Sequence, residues 1–216
     1  MSWYVLGEYY DVLLKGLATT LGASVASWLI AMVLALVVAQ LRLARSLAIR
    51  TIGAAYVEFF RNIPPIVIIS FFFFALPSVD LEMSPFMSVA LGVGLYGSAT
   101  IAEVIRSGIA AVHPGQLECA TAYGMSFPQA MRLVILPQAL RNVIPPLGSE
   151  TINVIKNTSL GSAVSLGEIL GAANFVGSHT FAYGMAFLAA AALYFVLTLP
   201  TAAAVNALER AMARQW

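Results

Sequence analysis

The chain has 216 residues, of which 60% are hydrophobic and only 10% charged, and its net charge is +1. A soluble domain carries roughly 45–50% apolar and 25% charged residues, so this composition excludes an ordinary water-soluble globule and describes an integral membrane protein. The eleven Lys and Arg are scattered, which excludes a nucleic-acid surface, and Cys119 is alone, which excludes an intrachain disulfide.

Helical spans of about 20 residues each leave room for five or six in this length and for no sizeable soluble domain. The expected fold class is therefore all-α integral membrane. Lys15 is the first basic residue and follows Glu8 and Asp11, so no cleaved signal peptide is expected. Apolar runs predict spans at about 17–39, 56–76, 86–112, 143–166 and 182–206, in one transmembrane domain over 1–216 without internal repeat or low-complexity linker. In the second run, Phe71–Phe74 reads as a lipid-facing or core surface. In the third, Ala90, Gly94, Ser98 and Ala102 recur every four residues, a small-residue strip that lets helices approach closely; packing explains it better than ligand contact. The fourth carries Pro145, Pro146, Glu150, Asn153 and Lys156, too polar a set for lipid, so it should face protein or a water-filled path.

Basic residues set the orientation. Arg42, Arg45 and Arg50 follow the first span, Arg106, Arg132 and Arg141 lie between the third and fourth, and Arg210 and Arg214 follow the fifth. The other side carries Lys15, with Asp11, Asp80, Glu82 and Glu168 for company. This asymmetry predicts Met1 outside and both Trp216 and the 113–137 segment in the cytosol.

An ionisable side chain at membrane depth costs several kcal/mol unless paired or hydrated. Helical rise places Lys156 about 16 Å above Pro145, near the midplane, with Tyr96 at a similar depth about 15 Å below Phe86. Glu103 and Glu150 belong nearer the cytosolic side, as do Glu58 and Arg61. Two readings stand. Glu58 with Arg61, and Glu103 with Arg106, have the i, i+3 spacing of local ion pairs. Alternatively, Glu58, Arg61, Tyr96, Ser98, Glu103, Glu150, Asn153, Lys156 and Thr158 line a polar path, in which Glu150, Asn153 and Lys156 share one inward face bearing both signs of charge. No catalytic constellation is visible. Neither Lys15 nor Lys156 follows a glycine, so there is no phosphate-binding loop for ATP hydrolysis. His113 and His179 have no helical partner for a metal and read as solvated loop residues, and no serine sits in a G-x-S-x-G setting.

The 113–137 segment, HPGQLECATAYGMSFPQAMRLVILP, is the long water-facing stretch and has the pattern of two short helices. In the first, Leu117, Ala120, Thr121 and Gly124 fall on one face, and Gly124 supplies the left-handed residue that ends it. In the second, Ser126 and Gln129 form a capping box, Phe127, Ala130, Met131 and Val134 make the apolar face, and Pro137 stops it. The segment is either a plain connection or a ridge shaped to press into another protein. Glu118-Cys119-Ala120, three residues, Gly124, nine residues and Val134-Ile135-Leu136-Pro137 resemble the EAA loop of bacterial ABC importer permeases, E-A-A-x3-G-x9-I-x-L-P; Cys119 replaces an Ala and Val134 an Ile. The strings YVEFFRNIP from Tyr56, GQLE from Gly115, LPQA from Leu136 and KNTSL from Lys156 are similar to the polar amino-acid permease branch, and the similarity runs from about Leu13 to Arg210.

That resemblance implies a multi-pass permease subunit of a binding-protein-dependent ABC importer for polar amino acids, in the bacterial cytoplasmic (inner) membrane. It implies a type I architecture of about five transmembrane helices with a cytosolic two-helix EAA coupling loop, in which Glu118, Cys119, Ala120, Gly124, Leu136 and Pro137 couple the spans to an ATPase. A second permease subunit, the same or related, would complete the path. Two cytosolic ABC ATPase subunits, holding ATP and Mg, would drive it, and a periplasmic or lipid-anchored binding protein would deliver the amino acid. This chain would hold no cofactor and no metal. RNIPP, VIPPLGSE and VIKN look most like the glutamate/aspartate members, while Glu150 and Glu103 would equally suit a basic solute. A stand-alone channel or secondary transporter should instead show an inverted repeat with paired broken helices, and none is found.

Overall fold

A computed structural model describes residues 7–213, and the described residues form helices with no strand. Met1, Arg214 and Trp216, used above for orientation, lie outside the described residues. Helix α1, Tyr10–Leu43, is 34 residues long, about 51 Å of helix. Its buried face is built from small residues, among them Gly16, Thr20, Ala23, Ser27, Ala31 and Ala35, while Leu14, Leu21, Val25, Leu29 and Val33 on the other face are exposed, as lipid-facing residues would be. Helix α4, Pro85–Ala110, lies along α1 and begins where the Ser84 hydroxyl accepts the Met87 N–H. The strip Ala90, Gly94, Ser98 and Ala102 is buried packing surface, as expected. A Cβ on Gly94 would stand 2.7 Å from Ile30 of α1, so the approach there requires glycine.

Three predicted spans are single helices long and apolar enough to cross a membrane: α1, α4 and α9, Tyr183–Ala213. The other two are bent pairs. Helix α2, Leu47–Asn62, meets α3, Pro65–Ser70 with its continuation to Val79, at 94°. The straight span expected at 56–76 is thus broken, because a residue before proline is pushed out of the helical region; Ile63 has φ −97 and ψ 128. Helix α7, Leu136–Asn157, continues as a tighter turn, Thr158–Val164, and then breaks; α8, Ile169–Thr180, resumes at a bend of 44°. The sequence reading did not foresee α8.

Between α4 and α7 lie α5, Pro114–Ala122, and α6, Phe127–Ala130. Helix α6 runs through a wide π turn, Met131–Ile135, directly into α7. Pro137 therefore does not stop a loop helix. It sits in the first turn of α7, directly after the π turn. Among the described residues, three apolar clusters hold the bundle. Leu13, Ile169, Val176 and Ala186 join α1, α8 and α9. Ala23, Ile69, Val93 and Val154 join α1, α3, α4 and α7. Ala35, Val57 and Ile101 join α1, α2 and α4.

Candidate functional site: a capped ridge and a polar stripe

The α5–α6 ridge is fixed at each turn by its own backbone and caps. At its start, His113 Nδ1 accepts the Gly115 N–H at 3.1 Å. At its end, Gly124 takes φ 80, its N–H reaches the Thr121 carbonyl at 2.9 Å, and the Met125 N–H reaches the Ala120 carbonyl at 3.1 Å. That pair of bonds is the Schellman closure, which needs a left-handed residue at the position of Gly124. The Ser126 N–H then donates to Gln129 Oε1 at 2.9 Å, the capping-box contact expected there. Of the expected face on α5, Ala120 is buried and Leu117 half-buried, but Thr121 and Gly124 are exposed. Glu118 and Cys119 are exposed, as are Leu136 and Pro137 at the foot of α7. Two braces hold the ridge to the spans: Gln138 Nε2 donates to Gln116 Oε1 at 3.2 Å, and the Arg45 guanidinium lies 5.1 Å from the centre of the Phe127 ring. Sequence reading missed Arg45 as a brace, and also Tyr123, which is 87% exposed beside Gly124. An aromatic next to a helix-ending glycine was the available signal.

The ionisable residues divide. Glu103 is neutralised from two sides: Arg106 Nε donates to it at 3.0 Å, and Arg42 Nη2 of α1 lies 3.2 Å from the same carboxylate. This is the expected i, i+3 pair, enlarged into a tie between α1 and α4. Glu58 and Arg61 form no such pair. Glu58 Oε2 instead accepts from Asn62 Nδ2 at 3.1 Å, and Arg61 is exposed. Ser98 is fully buried and shares a 2.7 Å hydrogen bond with the Tyr56 hydroxyl, so it packs α2 on α4 and does not open to a path. Thr158 is likewise buried and donates to the Ile155 carbonyl. Tyr96 is half-buried.

On α7 the expected shared face does not form. Glu150 turns sideways to α4, where its Oε2 accepts from Thr100 Oγ1 at 3.1 Å, and Asn153 Nδ2 lies 3.4 Å from its Oε1. Lys156 is exposed and not buried among apolar groups. Its height relative to α4 is as expected: Val154 Cγ2 lies 3.4 Å from where a Cβ on Gly97 would stand, which puts Lys156 near the height of Tyr96. A helix turns about 100° per residue, so Ser149, Asn153 and Lys156 fall on one side of α7, and Thr151, Val154 and Ile155 on the opposite side. The polar side is open in this chain, since Ser149 and Lys156 are exposed and Asn153 half-buried. Among the described residues, no cluster of His, Cys, Asp and Glu could hold a metal ion.

Glu168 departs furthest from expectation. The charge pattern placed it on the outer surface, yet it is fully buried. Its Oε2 accepts the Leu170 N–H at 2.8 Å and the Tyr194 hydroxyl at 2.9 Å, and its Oε1 accepts the Gly171 N–H at 2.7 Å. The next amide, Ile169 N–H, donates to Thr20 Oγ1 at 3.0 Å. The carboxylate therefore caps α8 and ties the break in the fourth span to α9, which is how its burial is compensated, while the Ile169 amide ties the break to α1.

Comparison with known proteins places this geometry. Residues 31–214 match the family described as binding-protein-dependent transport system inner membrane component. The chain is 37% identical over 216 residues to a probable glutamine ABC transporter permease of Bacillus subtilis, GlnM, covering 100% of each. A crystal structure of an amino acid ABC transporter with histidines superposes with a TM-score of 0.92 at 30% identity, covering 97% of this chain and 98% of that one. A chain of the inward-facing MetNI methionine ABC transporter shares the fold, with a TM-score of 0.80 at 21% identity over 99% of this chain and 100% of that one.

Proposed function

We propose a specific part for this chain, which belongs to the family of inner membrane components of binding-protein-dependent transport systems: as a permease of an amino-acid ABC importer, it carries a polar amino acid of the glutamine and glutamate/aspartate group. The observation that carries the reading is the α5–α6 ridge, capped at its turns and braced to the α1–α2 turn and to α7, with Glu118, Cys119 and Tyr123 turned outward and nothing among the described residues to receive them. A rigid exposed ridge transmits force only if something docks on it, and the proposed partner is a pair of cytosolic ATPase subunits that hold ATP and Mg. The chain is the non-catalytic membrane component. A second permease subunit covers the side of α7 bearing Ser149, Asn153 and Lys156, which cannot face lipid, and encloses the path. A binding protein delivers the solute at the end remote from the ridge.

Within the path, Lys156 takes the carboxylate of the solute, and Asn153 and Ser149 offer it hydrogen bonds. The stripe favours an anionic or neutral polar solute over a basic one, because the charge it carries is that of Lys156, whereas Glu103 is neutralised by two arginines and Glu150 is turned sideways to Thr100 of α4. Transport then alternates between two states that contact the solute differently. Reconstitution of the chain with its ATPase and binding protein, followed by uptake of glutamine, glutamate and arginine, tests both parts. ATP-dependent uptake of glutamine or glutamate is expected; preferred uptake of arginine overturns the solute assignment, and uptake without the ATPase overturns the importer reading.

A further inference from the structure

Glu58 and Arg61 are exposed one turn apart on α2, at the spacing of a local ion pair, yet they do not join. Glu58 Oε2 accepts the Asn62 amide at 3.1 Å, a neutral donor that leaves the charge in place. Arg61 enters no ion pair among the described residues. Both charges lie at membrane depth. Helix α2 leaves the Arg42 end of α1 at Gly53, where a Cβ would stand 2.9 Å from Leu41. One turn on, Val57 is fully buried in a cluster with Ala35 and Ile101, and Ala35 is about 10 Å of helix inward from Arg42. Glu58 follows Val57, and Arg61 is about 4.5 Å of helix deeper still. Unpaired charges at such a depth are not left to hydrocarbon.

What meets them follows from the side they face. Arg61 is within electrostatic reach of the Glu103 carboxylate on α4. On α4, Glu103 and Thr100 point about 60° apart, and Thr100 bonds Glu150 of α7, which has Asn153 beside it. The charged side of α2 and the polar side of α7 therefore border one side of α4, the side that the second subunit covers in the proposed function. A surface that carries an acid and a base side by side without joining them is self-complementary, because a two-fold axis sets each acid against the other copy's base. A dissimilar partner could answer a single sign; both signs held apart on one turn suit a surface that meets its own copy. Both ridges must reach the cytosol, so the axis runs along the membrane normal and the two α2 helices face each other in parallel at equal height. A helical side chain leans toward the N-terminus of its helix, which brings the Arg61 guanidinium toward the level of Glu58. Resting on the importer reading for the presence of a second subunit, we propose that this subunit is a second copy of the chain. Glu58 pairs with the partner subunit's Arg61, and Arg61 with the partner subunit's Glu58. Such pairs fix partner and register more than they add affinity.

The test co-expresses two differently tagged copies of the chain with the ATPase and the binding protein, and measures how much of one tag is recovered with the other. Wild-type copies should co-purify. Glu58→Arg sets an arginine against the partner's Arg61, and Arg61→Glu sets a glutamate against the partner's Glu58, so each variant should lose at least tenfold in recovery with itself. Glu58→Arg co-expressed with Arg61→Glu should recover, because every contact between those two chains again joins opposite signs. If neither single variant accumulates, the double variant Glu58→Arg/Arg61→Glu decides, since it should associate with itself and not with wild type. Single variants that recover themselves at the wild-type level, or a double variant that pairs with wild type, overturn the reciprocal pairs. Tags that never co-purify in a transporter that still takes up its solute with ATP assign the second subunit to a related permease and overturn the second copy. ATP-dependent uptake by the wild-type preparation reports separately on the importer reading.

Discussion

Gly124 stands at φ 80, and a Cβ added there would meet nothing within 4 Å in the chain. The intrachain cost of a side chain is then only that of the left-handed backbone, about 1–2 kcal/mol, too little to prevent insertion of the spans. Anything docked on the ridge would meet the new group directly. Gly124→Asp should therefore accumulate in the membrane while losing ATPase association and uptake; co-purification and uptake measured on one preparation decide it, and normal uptake sinks the docking ridge. Lys156 poses the complementary case. It has no ion-pair partner among the described residues, so Lys156→Met strands no buried carboxylate. Its stability should stay within about 0.5 kcal/mol of wild type. Assembly and basal ATP hydrolysis should persist while uptake falls at least tenfold, a loss of about 1.4 kcal/mol in solute recognition. Full uptake by a stable Lys156→Met complex moves the solute contact elsewhere.

Elements show what a one-dimensional reading can reach. Long apolar helices were legible, because α1, α4 and α9 are each continuous and their lipid or packing faces repeat with helical period. The breaks were harder, since apolarity continues through them: Ile63 and Pro64 are themselves apolar, and the 94° bend is written only in the proline's effect on its predecessor. The ridge was legible as caps and a glycine, but its far end was not, because a π turn lets α6 continue past the point where Pro137 reads as a stop. Glu168 was misplaced for a related reason. A charge count assumes that a carboxylate between spans is wet, whereas this one replaces water with two backbone amides and the Tyr194 hydroxyl. Removing the cap should loosen α8 first. Glu168→Ala is expected to cost about 1–2 kcal/mol, and Tyr194→Phe about 1 kcal/mol. Hydrogen exchange at Leu170 and Gly171 should accelerate in Glu168→Ala before exchange in α4 does; equal protection in the variant would show that α8 is held by apolar packing alone.

At the scale of the whole molecule, the fold converts a charge count into a geometric test. The ridge follows the C-terminal end of α4, whereas the turn containing Asp80 precedes its N-terminal end, about 39 Å of helix away. Helix α8 belongs with Asp80, because Ala172 packs on Gly16 near the start of α1. Asp80 and Gly177 must therefore share one side of the membrane and Gln129 the other. The arginines at the ridge end, Arg42, Arg45, Arg106 and Arg132, are the ground on which we propose the cytosol for that side. A reporter active only in the periplasm should work when fused at Asp80 or Gly177 and fail at Gln129. Activity at all three positions would contradict the helical path itself, since it would need α4 not to cross. Activity at Gln129 alone would keep the path but invert the chain, placing the ridge where no cytosolic ATPase could reach it, and the coupling role proposed for Glu118, Gly124 and Tyr123 would fall with it.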